Sequence, residues 1–220
     1  MKKDSTPLTI EKRKAAHAER RGEIRARLAE FEAIWQSGDD AQLWEEMVFC
    51  FFTGGCSARM GINSVAAVRP ILLTGNHAEL ADALRGRHRY PNARAGYIVA
   101  SREFLQEHCD LKLREKLLSF DDDLERRDWL VKEKRIKGLG YKEASHFLRN
   151  IGLKGYAILD KHILRSLAEL EIIEEAKPPN TRVKYLRVEN QLKNLAARTG
   201  IDFDELDLVL WSMKTGEILK

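Results

Sequence analysis

The chain predicts an all-α fold on three observations. Apolar residues recur at spacings of three and four in one segment after another. No segment sustains the alternation of a half-buried strand. Proline, glycine and capping side chains punctuate the periodic stretches.

Taken in order, Ile24, Leu28, Phe31 and Trp35 mark a first amphipathic helix, and Leu43, Trp44, Met47, Val48 and Phe51 a second. Ser57 caps a third carrying Ile62 and Val65 and interrupted near Pro70; Leu80 and Leu84 belong to a short fourth that begins at His77. Asn92 is placed to cap a fifth with Tyr97, Ile98, Phe104 and Leu105, and helical patterns continue through 111–118 and 124–136. Gly138-Leu139-Gly140 then makes a tight turn into a helix with Ala144, Phe147, Leu148 and Ile151, ended by Gly152. Asp160 precedes a helix with Ile163 and Leu167, and Lys177-Pro178-Pro179-Asn180 breaks the chain. Val183, Leu186, Gln191 and Leu195 mark the next helix, and Phe203, Leu206, Leu210 and Met213 the last.

The 220 residues suffice for one globular unit or two small subdomains, and 44% hydrophobic with 33% charged residues excludes a disordered chain. No window approaches the roughly 18 uninterrupted apolar residues of a membrane helix. Met1-Lys2-Lys3-Asp4-Ser5 runs into charge and not into a signal-peptide apolar region, so a soluble, cytoplasmic protein is expected, with no membrane partner. Three cysteines without C-x-x-C spacing support neither a disulfide framework nor a thiolate metal site. The six histidines form no ligand cluster, so no metal and no cofactor is expected; His146 and His162 are expected to be structural, hydrogen-bonded groups. A net charge of +4 is compatible with a polyanionic partner without requiring one.

Glycines in the 138–140 turn allow close backbone approach, and the helix that follows starts with unpaired N–H groups, which can hold a phosphate. Lys132, Lys134, Arg135 and Lys137 put cations on the approach. Taken alone this is an ordinary basic αα-hairpin, Lys142 a solvated lysine and Asp160 a helix cap worth about 1 kcal/mol. Taken together, the residues resemble the helix-hairpin-helix DNA glycosylase superfamily. The stretch from Lys137 to Asn150, KGLGYKEASHFLRN, and that from Ala157 to Arg165, AILDKHILR, closely resemble its archaeal-type (type 2) 8-oxoguanine glycosylase/lyase branch. His88-Arg89-Tyr90-Pro91, Leu208–Trp211 and Ile218-Leu219-Lys220 are similar to that family as well. Gly54-Gly55-Cys56 departs from it, standing where relatives commonly have larger or polar side chains, and residues 1–20 offer no match.

The resemblance implies two helical subdomains, 1–65 with 170–220 and 66–169, and an active site between them. It implies a monomer acting on double-stranded DNA containing oxidised guanine. Lys142 is the implied nucleophile and Asp160 its helper; Gly138, Gly140, Lys134 and Lys137 hold DNA; Trp211, Met213, Phe51 and Lys220 form the base pocket. The expected chemistry is attack of the lysine on the sugar C1′, a Schiff base, then β-elimination. A free lysine, with a pKa of about 10.4, needs activation for this. An acceptor facing the N7–H of 8-oxoguanine, such as a carbonyl or carboxylate near Lys220, distinguishes it from guanine. A glycosylase for another oxidised base and a non-catalytic DNA-binding module are the alternatives, and only the enzyme needs Lys142 and Asp160 as a pair.

Overall fold

The computed structural model describes residues 9–220; the charged start Met1–Ser5, read above as no signal peptide, lies outside them. Among the described residues the regular structure is helical throughout: α1 (Ile10–Ser37), α2 (Asp40–Thr53), α3 (Ala58–Val68), α4 (His77–Leu84), α5 (Pro91–Cys109), α6 (Leu113–Leu118), α7 (Asp123–Lys132), α8 (Tyr141–Asn150), α9 (Lys161–Glu169), α10 (Arg182–Thr199) and α11 (Phe203–Thr215). A 3-10 turn at Arg69–Ile71 follows α3, and Pro70 ends that helix as expected. No helix among the described residues is long and apolar enough to cross a membrane.

The chain divides into two compact units. One holds the residues up to Glu30 with Lys154–Leu219; the other holds Phe31–Leu153 and Lys220. These boundaries differ from 65/66 and 169/170. Helices α2 and α3 belong with the hairpin because α2 packs against α3, α5, α6 and α8, while α9 belongs with α11, against which it packs.

In the hairpin unit α2 is the centre. Asp39 caps it in a reciprocal capping box with Gln42, and ten of its fourteen residues are buried, including Leu43, Trp44, Met47, Val48 and Phe51. A helix apolar on nearly every side has to be enclosed. Ser57 caps α3 as predicted, and Asn76 caps α4 in a second capping box with Glu79. Arg114 ties the last turn of α1 to the start of α6, donating to the backbone oxygens of Ile34 and Gly38 at 3.2 and 2.6 Å. Gly152 leaves α8 at φ 89°, and a Cβ there would stand 2.7 Å from both Glu32 Cα and Phe31 O.

In the other unit Ile24, Leu208 and Val209 form an apolar cluster with Ala16, Leu28, Met213 and Ile218 packed on it. Arg13 is wholly buried and donates to Ser166 O at 3.0 Å.

Four local expectations change. Helix α1 starts at Ile10, fourteen residues before the predicted first apolar position, because Arg13 and Ala16 supply inward positions that apolar periodicity does not score. Asn92 does not cap α5; Pro91 occupies the first turn, where its missing N–H costs nothing, and Tyr90 precedes it without a side-chain cap. Helix α7 stops at Lys132, and Ile136 is buried from the loop instead. Val183 is 68% exposed, because α10 buries Tyr185, Glu189, Leu192, Leu195, Ala196 and Thr199.

Gly152→Ala is expected to destabilise the protein by about 2 kcal/mol, from a left-handed φ and a clash with rigid backbone. Thermal unfolding should shift down by roughly 4–8 °C. An unchanged midpoint would mean that the α1 backbone yields freely there.

Candidate active site and DNA interface

Helices α7 and α8 pack as the two arms of a hairpin joined by residues 133–140. Gly138 has φ 77°, and a Cβ on it would lie 2.7 Å from the Tyr97 ring and 3.6 Å from Phe51 Cδ1, so the turn lies flat on aromatic groups that a side chain would displace. Ile136 and Leu139 are buried and peg the loop down, and the Lys137 N–H donates to Ser101 Oγ at 2.9 Å. Gly140 is the N-cap of α8 and has no side chain to satisfy the first N–H groups of that helix. An anion can therefore be held there by main-chain donors.

The arms are locked by Arg127, wholly buried, whose Nη1 donates to Ser145 Oγ at 3.1 Å, and by Tyr141, whose hydroxyl donates to Asp128 at 3.0 Å. The four basic residues of the approach differ in their ties. Lys132 pairs with Asp128 at 2.7 Å; Arg135 pairs with Glu107 at 3.2 Å and lies over the Phe104 ring at 4.1 Å. Lys134 and Lys137 are exposed, and among the described residues no ion pair engages either.

Lys142 is the second residue of α8, and its side chain is 24% exposed. Its Nζ stands 3.0 Å from Glu143 Oε1. Sequence reasoning missed Glu143, since a glutamate in a helix's first turn is ordinary. Space around it comes from the departing loop: a Cβ on Gly54 would stand 3.8 Å from Glu143 Oε1 and 3.2 Å from Arg94 Nη2. Arg94 fills that place, donating to Gly54 O at 2.6 Å and lying over the Tyr97 and Tyr90 rings. Cys50 is wholly buried on α2; burial pushes its thiol pKa well up, with Glu46 adding to the rise and Lys142 opposing it.

Lys220 belongs to this same unit. Its ammonium pairs with Glu46 and lies 5.4 Å from the centre of the Phe49 ring. The His146 ring meets Phe49 edge-on at 5.4 Å and is almost wholly enclosed. Burial, then Arg149 and Lys142, push His146 well below the ordinary imidazole range, and the backbone of Lys220 pulls the other way. The expected structural histidine is thus held edge-on against Phe49, with the main chain of Lys220 acting on its ring. Phe51, expected in the base pocket, is wholly buried edge-on to Trp44 and beneath Gly138, and offers no face to a base in this conformation.

In the other unit Asp160 is the N-cap of α9, accepting from the N–H groups of His162 and Ile163 at 2.8 and 2.9 Å. The segment leading to it is pinned by α10. The Tyr185 hydroxyl donates to Ala157 O at 2.6 Å, and Glu189 accepts from the Ala157 N–H at 2.9 Å. The aspartate thus caps a helix with one oxygen while its segment is held from behind. The half-buried Trp211 meets His162 edge-on at 6.5 Å. His162 lies below its usual range because of burial, with Asp160 opposing. Met213 packs on the apolar cluster of Ile24, Leu208 and Val209 instead of standing free. Among the described residues no group of three or more histidine, cysteine or acidic side chains is placed to hold a metal ion.

The helix-hairpin-helix glycosylase fold is the one the described helices share with solved 8-oxoguanine glycosylases. The family described as 8-oxoguanine DNA glycosylase matches residues 24–201, and the chain belongs to it. A relative from Korarchaeum cryptofilum named 8-oxoguanine DNA glycosylase/AP lyase is 42% identical over 90% of each chain. One of the same name from Fusobacterium nucleatum is 34% identical over the full length of both. Among solved structures, the Methanocaldococcus jannaschii 8-oxoguanine glycosylase/lyase in complex with 15mer DNA containing 8-oxoguanine aligns with a TM-score of 0.88 at 35% identity, covering 96% of this chain and 99% of that one. The 8-oxoguanine DNA glycosylase of Thermotoga maritima aligns with a TM-score of 0.86 at 33% identity, covering 96% and 98%.

A histidine held neutral in the fold but free to protonate at about pH 6.5 when unfolded makes the unfolded state take up more protons as pH falls. His146 therefore costs stability below the ordinary imidazole range, with smaller contributions of the same sign from His88 and His162. The melting temperature should fall between pH 7 and pH 5, and fall less in His146→Gln. Equal slopes for the two proteins would show that His146 takes its proton without unfolding.

Proposed function

We propose that the chain is a bifunctional 8-oxoguanine DNA glycosylase and abasic-site lyase that acts as a monomer on double-stranded DNA, with Lys142 as nucleophile and Asp160 as its helper. The observation that carries the reading is the position of Lys142, one residue inside the helix that the glycine hairpin opens, in a chain of this family.

A glycosidic bond inside duplex DNA is out of reach, so the lesion is first turned out of the stack at a cost of a few kcal/mol. The α8 N–H groups beyond Gly140 grip a backbone phosphate, and Lys134 and Lys137, whose ammonium groups have no ion pair to give up among the described residues, add charge to the same strand. Lys142 leaves Glu143 and attacks C1′ as an unprotonated amine. The C1′–N9 bond breaks, the base departs with the bonding pair and takes up a proton, and sugar-ring opening gives the Schiff base. Removal of a C2′ proton then expels the 3′ phosphate by β-elimination, and water releases the lysine. The carboxylate of Asp160, fixed by its capping bonds, receives the amine's proton and stabilises the positive charge that grows on the sugar. Trp211 supplies a stacking face, and a main-chain oxygen near Lys220 accepts from the N7–H that guanine lacks. Met213 supports that wall from the apolar cluster.

Lys142→Gln is expected to abolish both base release and borohydride trapping on 8-oxoguanine DNA, with duplex binding retained. A trapped adduct in that variant would assign the chemistry to another amine. Asp160→Asn should slow base release severely while the melting temperature stays close to the parent, since asparagine caps as well as aspartate. Near-parental activity would reduce Asp160 to its capping role.

Lys134→Ala with Lys137→Ala should weaken binding to damaged and undamaged duplexes alike, because phosphate contacts carry no sequence information. The slope of log affinity against log salt should shrink by up to about one unit per lost contact. An unchanged slope would move the DNA to another face.

A further inference from the structure

We infer that Glu46 is a positioning residue for base release: it seats Lys220 at the end of the α8 stripe that carries Lys142, and so places the main chain of Lys220 that the reading above sets against the lesion. The inference rests on the glycosylase reading above.

Glu46 lies on α2, and its side chain is 5% exposed. A carboxylate so enclosed is costly unless both oxygens are engaged. Here Oε1 takes the Lys220 ammonium and Oε2 accepts from Asn150 Nδ2 at 3.2 Å. The Phe49 ring, one helical turn along from Glu46, covers the ammonium from another side. Asn150 is not an incidental partner. Lys142, His146 and Asn150 fall at i, i+4 and i+8 on α8 and share one face. Glu46 therefore holds Lys220 against the same helical face from which Lys142 projects, two turns further on, with His146 between them and the main chain of Lys220 acting on its ring.

Stability alone is a poor reason for this arrangement, because a buried ion pair is often matched or bettered by apolar residues of the same volume. Direction is the better reason. One carboxylate fixed by α8 through Asn150 leaves Lys220 a single place for its ammonium, and the main chain attached to it is located with it.

The two activities separate positioning from mere folding. Release of 8-oxoguanine needs the base to be recognised, whereas cleavage of a preformed abasic site needs no base. Single-turnover rates for both are to be measured on the full chain for Glu46→Gln, Lys220→Met and the double variant, with Lys220→Arg as the conservative control. Glu46→Gln and Lys220→Met are each expected to slow 8-oxoguanine release at least about tenfold while abasic cleavage stays within about threefold. The double variant should be no slower than the slower single one, as for two ends of one interaction. Lys220→Arg, which keeps the cation, should retain most base release. Equal losses in the two activities, independent losses that multiply in the double variant, or full base release in Glu46→Gln would each overturn the proposal. If Glu46→Gln does not fold, the contrast between Lys220→Met and Lys220→Arg decides it: similar base release by those two removes any role for the seat. A parent protein that releases no 8-oxoguanine at all would instead refute the glycosylase reading.

Discussion

Helix α2 has almost no solvent face, and the hairpin unit is arranged to supply what that helix needs. Ten of its fourteen residues are buried, and four other helices close around it. Close-packed surroundings of this kind resist deformation and transmit strain, so a group mounted on them is held accurately. Helix α8 is one of the four. Its uncapped start and the lysine beside it thus rest on the least yielding part of the unit, while Gly138 brings the turn down onto Tyr97 and Phe51. The same enclosure admits one carboxylate, Glu46, and obliges it to find two partners.

The two units differ in the local chemistry they present. In the hairpin unit the donors are main-chain N–H groups and cations, suited to a polyanion. In the other, an acid is fixed by two N–H groups of its own helix, and the segment leading to it is clamped by Tyr185 and Glu189. Rigid support of this kind would suit the helper role proposed for Asp160, since such a carboxylate has to be oriented before charge develops.

Most of the helical plan was legible because caps and apolar periods agree: Ser57, Asp160 and Gly152 stand at helix ends as their chemistry dictates. What stayed hidden lacked an apolar signal. Arg13 is an inward position of α1 filled by a guanidinium, and the buried stripe of α10 runs through Tyr185, Glu189 and Thr199, so Val183 misled. In the candidate site, Lys142 and Asp160 stand out only through the motifs that carry the family resemblance. Glu46 does not, because its partner Lys220 lies 174 residues away and nothing in a helix of phenylalanines announces which glutamate will be enclosed. Phe51 is the opposite case: an aromatic ring near the glycine turn suggests a surface for stacking, and the ring serves as the floor beneath that turn.

Cys50 carries a consequence of the same enclosure. Oxidants attack thiolates far faster than thiols, and vulnerability follows thiolate content and exposure. Desolvation and the neighbouring Glu46 both keep this sulfur protonated, and no solvent reaches it. The cysteine enclosed on α2 is therefore far less open to oxidation than Cys56 and Cys109, which are only partly buried.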